Sequence, residues 1–178
     1  MAVECAADTL HARTALRARQ RWARLRFLKV DDMTLSRHFT LEEFIASGTA
    51  ARKGIDNTPT PEIEAALGET ADGMERVRAA LGGLPIHINS GYRCPKLNSA
   101  IGGATNSQHT RGEACDFIVP DFGTPFEIVQ ELAGRQDEIG YDQLIYEFGQ
   151  WVHCSFTDTP RGKVLTINTR GKFNGLVA

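Results

Sequence analysis

Two histidines, an aspartate and an arginine are the residues of this 178-residue chain whose types and spacing could do chemistry. His109 and Asp116 stand in the pattern H-x-x-G-x-A-x-D within "SQHTRGEACDF", His153 lies in "WVHCSF", and Arg93 closes "SGYR". Imidazole nitrogens and a carboxylate oxygen suit zinc, and three protein ligands leave a fourth position open, as in a catalytic rather than a closed structural site. A cation held there acidifies water and polarises a carbonyl. Gly112 and Ala114, between the first two ligands, are small enough for the chain to fold back, so that a loop histidine can meet a strand aspartate.

Spacing alone leaves other readings open. His109 also fits a solvated residue of a glycine-rich loop, and His153 a packed residue of a half-buried strand. Asp116 sits in an apolar run, where a carboxylate needs a partner. His11, His38 and His87 are available as rival ligands. Of these, His87 lies in a strand just before the loop and is expected to be a packed side chain.

The elements that must position these residues follow from periodicity. "FTLEEFIASGTA" carries a capping box, with Thr40 as N-cap and Glu43 three residues on. "TPTPEIEAALGETADGMERVRAALGGLP" predicts one long amphipathic helix, opened by Pro61 and ended by Gly82-Gly83, with Leu67, Met74, Val77 and Leu81 as its buried stripe. "PIHINS" and "ACDFIVP" alternate as strands do, and "PFEIVQELAGR" returns to helical spacing. "DQLIYEF", "WVHCSF" and "KVLTINT" read as three short strands. Helices first, then strands close in sequence, predict an α+β domain with N-terminal helices packed on a small antiparallel sheet.

Composition bounds the classes. The chain is long enough for one real core, at 42% hydrophobic and 24% charged residues. A formal charge of −2 argues against broad phosphate neutralisation, so no nucleic-acid partner is expected. No apolar run reaches the roughly 18 residues of a membrane span. Residues 1–32 are expected to form a basic extension, helical or disordered, with a single domain over 33–178. The absence of an apolar h-region there predicts a cytoplasmic protein as synthesised. None of Cys5, Cys94, Cys115 and Cys154 forms a CxxC pair, which argues against a structural zinc knuckle, and free thiols are expected. Strand alternation turns Cys115 and Cys154 away from their neighbours Asp116 and His153, towards the core.

Taken together, "SGYR", the later asparagine and Gly-Gly, H-x-x-G-x-A-x-D and "WVH" resemble the zinc D-alanyl-D-alanine carboxypeptidase family. Its superfamily is shared with lysostaphin-type peptidases and the hedgehog signalling domain. The resemblance covers roughly Leu35 to Phe156, and "LSRHFTLEEF" and "GIDNTP" are similar to phage and prophage members. It implies that His109, Asp116 and His153 hold one zinc ion, that Arg93 binds substrate and stabilises the oxyanion, and that Ser107 assists beside the ligands. The implied activity is hydrolysis of an amide bond in peptidoglycan stem peptides. The primary expectation is D-Ala-D-Ala carboxypeptidase action; the alternatives are an L-Ala-D-Glu endopeptidase and an inactive zinc-bearing wall-binding or phage structural module. A monomer acting on the wall after release is expected.

One position departs from the pattern. Some relatives carry a glutamate three residues before the last histidine as general base, where this chain has Gln150, which cannot take a proton at neutral pH. The nearest carboxylate is Glu147, and its use depends on hairpin parity. A two-residue Gly149-Gln150 turn pairs Glu147 with Val152 and turns it from His153. A three-residue Phe148-Gly149-Gln150 loop pairs it with Trp151 and puts it on the face of His153. The catalytic assignment requires the second.

Overall fold

The computed structural model describes residues 33–177; the expected N-terminal extension and Cys5 lie outside them. The chain forms helices α1 (Leu41–Ile45), α2 (Gly48–Lys53), α3 (Pro61–Ala80), α4 (Pro95–Ala100), α5 (Pro125–Leu132) and α6 (Gln136–Ile139). Strands β1 (His87–Ser90), β2 (Ala114–Ile118), β3 (Gln143–Glu147), β4 (Trp151–Ser155), β5 (Lys163–Asn168) and β6 (Gly171–Asn174) complete it, with a 3₁₀ turn at Gln108–Arg111. This is the expected α+β arrangement.

The helices start where their caps place them. Thr40 caps α1 in a reciprocal box with Glu43, and Thr124 does the same for α5 with Glu127. Thr60 and Pro61 open α3, and Gly82 and Gly83, both with φ near +75°, stop the chain from continuing it. Leu67, Met74 and Val77 are fully buried and Leu81 nearly so, as the stripe predicts.

The sheet order is β1-β2-β4-β3-β5-β6. Four pairings are antiparallel, but β5 runs parallel to β3. The wholly antiparallel expectation is therefore corrected for that pair. Both edges of β4 are taken, by β2 and β3; the chain leaving β4 crosses to the free edge of β3 and arrives in the same direction as β3.

The pleat divides the sheet into two faces. Cys115, Phe117, Leu144, Val152 and Cys154 join the core beneath α3 and α5. Cys115 and Cys154 are opposite one another, fully buried and free, and burial pushes both thiols up. They face the core, as expected. Asp116, His153, Ile145 and Glu147 occupy the other face. His87 is exposed, which corrects its reading as a packed residue: Ile86 and Ile88 are the ones that pack against the core, which leaves His87 outward.

Candidate metal centre and cleft

Asp116 on β2 and His153 on β4 are direct cross-strand partners, which sets their side chains next to each other on the open face. His109 reaches them from the 3₁₀ turn. That turn ends at Gly112, with φ 74°, where a Cβ would stand 3.0 Å from the Ile63 carbonyl oxygen of α3. The Gly112 carbonyl accepts from the buried Thr70 hydroxyl at 2.7 Å, tying the turn to α3. The glycine of H-x-x-G is thus needed for its backbone conformation and its close approach.

The three side chains converge tightly. His109 Nε2 lies 3.1 Å from His153 Nδ1 and 3.2 Å from Asp116 Oδ1, and His153 Nδ1 lies 2.9 Å from the same oxygen. The edge of a zinc tetrahedron with bonds of about 2.0–2.1 Å is roughly 3.3–3.4 Å, so the donor triangle fits that ion to within a few tenths of an ångström. All three residues are at most 8% exposed. Among the described residues they form the one group of three or more ionisable side chains placed to hold a metal.

The surroundings fix the donors. His109 Nδ1 is 2.6 Å from the Gly91 carbonyl oxygen, which can only accept, so Nδ1 carries the proton and Nε2 presents its lone pair to the centre. Gly91 packs on α1: a Cβ there would stand 2.5 Å from the Phe44 carbonyl oxygen. Burial lowers the His109 pKa against the opposing pull of Asp116, which keeps the ring in the neutral state a metal needs. For Asp116 burial pushes the other way, but the neighbouring imidazoles of His109 and His153 outweigh it and hold the carboxyl well below its usual range.

Arg93 stands behind the aspartate. Its Nη2 donates to Asp116 Oδ2 and lies 3.2 Å from His109 Nε2, and its Nε donates to Ser90 Oγ at 2.9 Å. Oδ1 is the Asp116 oxygen turned to the imidazoles. Arg93 also lines the cleft. Ser107 lines it too, at the start of the 3₁₀ turn, and its hydroxyl makes no hydrogen bond among the described residues.

The hairpin has three residues between its strands. Glu147 pairs with Trp151, so it shares the face of His153 and lines the same cleft. Phe148 and Gly149 take φ of 51° and 72°, and the Gln150 N–H closes the turn on the Glu147 carbonyl. Trp151 Nε1–H donates to Glu147 Oε2 at 2.6 Å. Gln150 is exposed and does not line the cleft.

One contributor was not visible in the sequence. Asp142, 1% exposed, accepts from the Arg161 backbone, from Arg161 Nε and Nη2, and from Gln108 Nε2 at 3.1 Å. Its carboxylate joins the start of β3, the crossing before β5 and the residue next to His109. Its partners lie 19 and 34 residues away, and no local motif announces them.

An open cleft of about 1030 Å³ runs past these groups. A sheet floor, a His-Asp-His centre and a carboxylate share one face of the sheet. The family model described as Peptidase M15 matches residues 37–155, about two thirds of the chain, and the chain belongs to that family. It is also similar to the zinc D-Ala-D-Ala carboxypeptidase of Streptomyces albus G, at 44% identity over 43 residues. That match covers 24% of this chain and 17% of the relative. Among the described residues no helix is long and apolar enough to cross a membrane.

Proposed function

We propose that this protein is a zinc-dependent peptidase that hydrolyses an amide bond in peptidoglycan stem peptides, with a terminal D-Ala-D-Ala bond as its substrate. The observation that carries the reading is the convergence of His109 Nε2, Asp116 Oδ1 and His153 Nδ1 with Glu147 on the same sheet face. Membership of the peptidase family supports the reaction class, and the name of the Streptomyces relative supports the ion and the bond.

His109, Asp116 and His153 would hold the zinc ion. When bound, it supplies Lewis acidity, acidifying water and polarising the scissile carbonyl. Glu147 takes the proton of the attacking water and returns it to the leaving amine. The Trp151 indole N–H holds one oxygen of that carboxylate, which leaves the other to move the proton. Arg93 lends positive charge beside the reacting carbonyl, where negative charge develops. Gln150 points out of the cleft, so its replacement of a carboxylate does not remove the base.

The test is metal content of the purified protein together with mass-spectrometric detection of D-alanine released from a D-Ala-D-Ala-terminated stem peptide. One zinc per chain and release abolished by chelation are expected. Zinc without cleavage of that peptide or of intact wall would overturn the peptidase reading.

A further inference from the structure

The cleft does not end at Glu147. Register carries one row of residues across four strands: Trp151 pairs with Glu147, Glu147 with Ile167 and Ile167 with Lys172. Paired residues share a face, so Ile167 and Lys172 continue the floor on which Glu147 stands, and both line the cleft. Four cations border this space. Arg93 is paired with Asp116, Arg111 with Glu113 and Arg161 with Asp142. Lys172 has no hydrogen bond or ion pair among the described residues.

The hairpin tip borders the same end. Phe148 donates its backbone N–H to the Ile167 carbonyl at 2.8 Å and leaves its ring 47% exposed. It is the one non-glycine among the described residues with positive φ. A phenylalanine is disfavoured there relative to glycine or asparagine, and such strain gathers where a side chain is used. An apolar floor at Ile167, an aromatic wall at Phe148 and an unpaired ammonium at Lys172 together match one chemistry, a side chain with an aliphatic stem and a terminal carboxylate.

We infer that β5 and β6 form a specificity subsite for an acidic residue of the peptide substrate, with Lys172 receiving its carboxylate. Two interstrand steps of about 4.8 Å separate Lys172 from Glu147, and an extended peptide advances about 3.3 Å per residue, so the acidic residue lies about three positions from the cleaved bond. The inference rests on the peptidase reading above and narrows it to acidic peptides longer than a dipeptide.

The test uses paired peptides that differ only by glutamate or glutamine at that position. For the zinc-loaded enzyme, kcat/KM should favour the glutamate peptide about fivefold, the effect of one partly exposed ion pair. Lys172→Gln should bring the ratio near one, and Lys172→Glu should invert it, an inversion that a merely solubilising edge lysine would not produce. A wild-type ratio near one, or the same preference in Lys172→Glu, overturns the subsite while leaving the peptidase reading intact. If neither peptide is cleaved, the peptidase reading fails, and calorimetric binding of the two peptides to Glu147→Gln decides the subsite. Tighter binding of the glutamate form, lost with Lys172→Glu, supports it; equal or absent binding overturns it.

Discussion

The indole N–H of Trp151 donates to Oε2 of Glu147 at 2.6 Å, across the closing pair of the β3–β4 hairpin. A donor of this kind holds the carboxylate in one orientation. Glu147→Gln is expected to retain zinc and lose roughly 10²–10⁴-fold in kcat, the usual contribution of a general base. Trp151→Phe keeps an aromatic ring and removes the N–H that holds Glu147. Its kcat should fall about tenfold as the carboxylate loses its fixed orientation, while zinc content stays unchanged. An unchanged kcat would mean that the indole only packs.

His109→Ala removes the donor whose lone pair is aimed at the centre by the Gly91 carbonyl. Elemental analysis should find the zinc gone and peptide cleavage should be undetectable. Full metal and full turnover in that variant would overturn the ligand set.

Gly91→Ala is expected to act on the same donor from behind. Its Cβ would meet the Phe44 backbone at 2.5 Å, which cannot swing aside as a side chain could. Forcing the methyl in should cost about 1–3 kcal/mol of stability and displace the carbonyl that orients His109. Denaturant midpoint and zinc affinity should fall together.

Asp142 links pH to stability. Arg161, against the opposing effect of burial, holds its carboxyl below the usual range in the folded state, with the Arg161 backbone and Gln108 adding to the effect. A depressed folded value means that the stabilisation is present above the ordinary carboxylate pKa and is lost as pH falls through the folded one. Asp142→Asn should cost about 1–3 kcal/mol near neutrality. That deficit should shrink as pH drops below about 4, the unfolded value. Urea midpoints measured from pH 7 to pH 3 check both parts.

Phe148→Asn places a residue that tolerates the left-handed region where the chain holds φ 51°. Melting should move upward, by the equivalent of about 1 kcal/mol, while affinity for the acidic peptide falls. A lower melting temperature would show that the contact of Phe148 with the Trp151 ring, centroids 6.2 Å apart, outweighs the strain.

Much of this was legible in the residues because it is local. Helix α3 announces itself through a cap, a proline, a buried stripe and a pair of glycines within one stretch. The core orientation of Cys115 and Cys154 follows from alternation once their neighbours are read as ligands. The hairpin loop was not legible, since Gly149-Gln150 and Phe148-Gly149-Gln150 both satisfy turn chemistry and only tertiary register separates them. His87 was misread because a four-residue strand has no internal evidence of its phase. The core beneath Ile86 and Ile88 decides it. The parallel pairing of β5 depends on which sheet edges earlier strands have filled, and the role of Asp142 on partners far along the chain. Neither leaves a trace in nearby residues.

The three-residue hairpin loop has a consequence for how such a chain can diverge. Glu147 is placed by the register of β3 against β4, whereas His109, Asp116 and His153 are placed by the 3₁₀ turn, β2 and β4. A one-residue slip of β3 against β4 would turn Glu147 to the opposite face and leave those three where they are. Metal binding and proton transfer can therefore be lost and regained separately in chains of this fold.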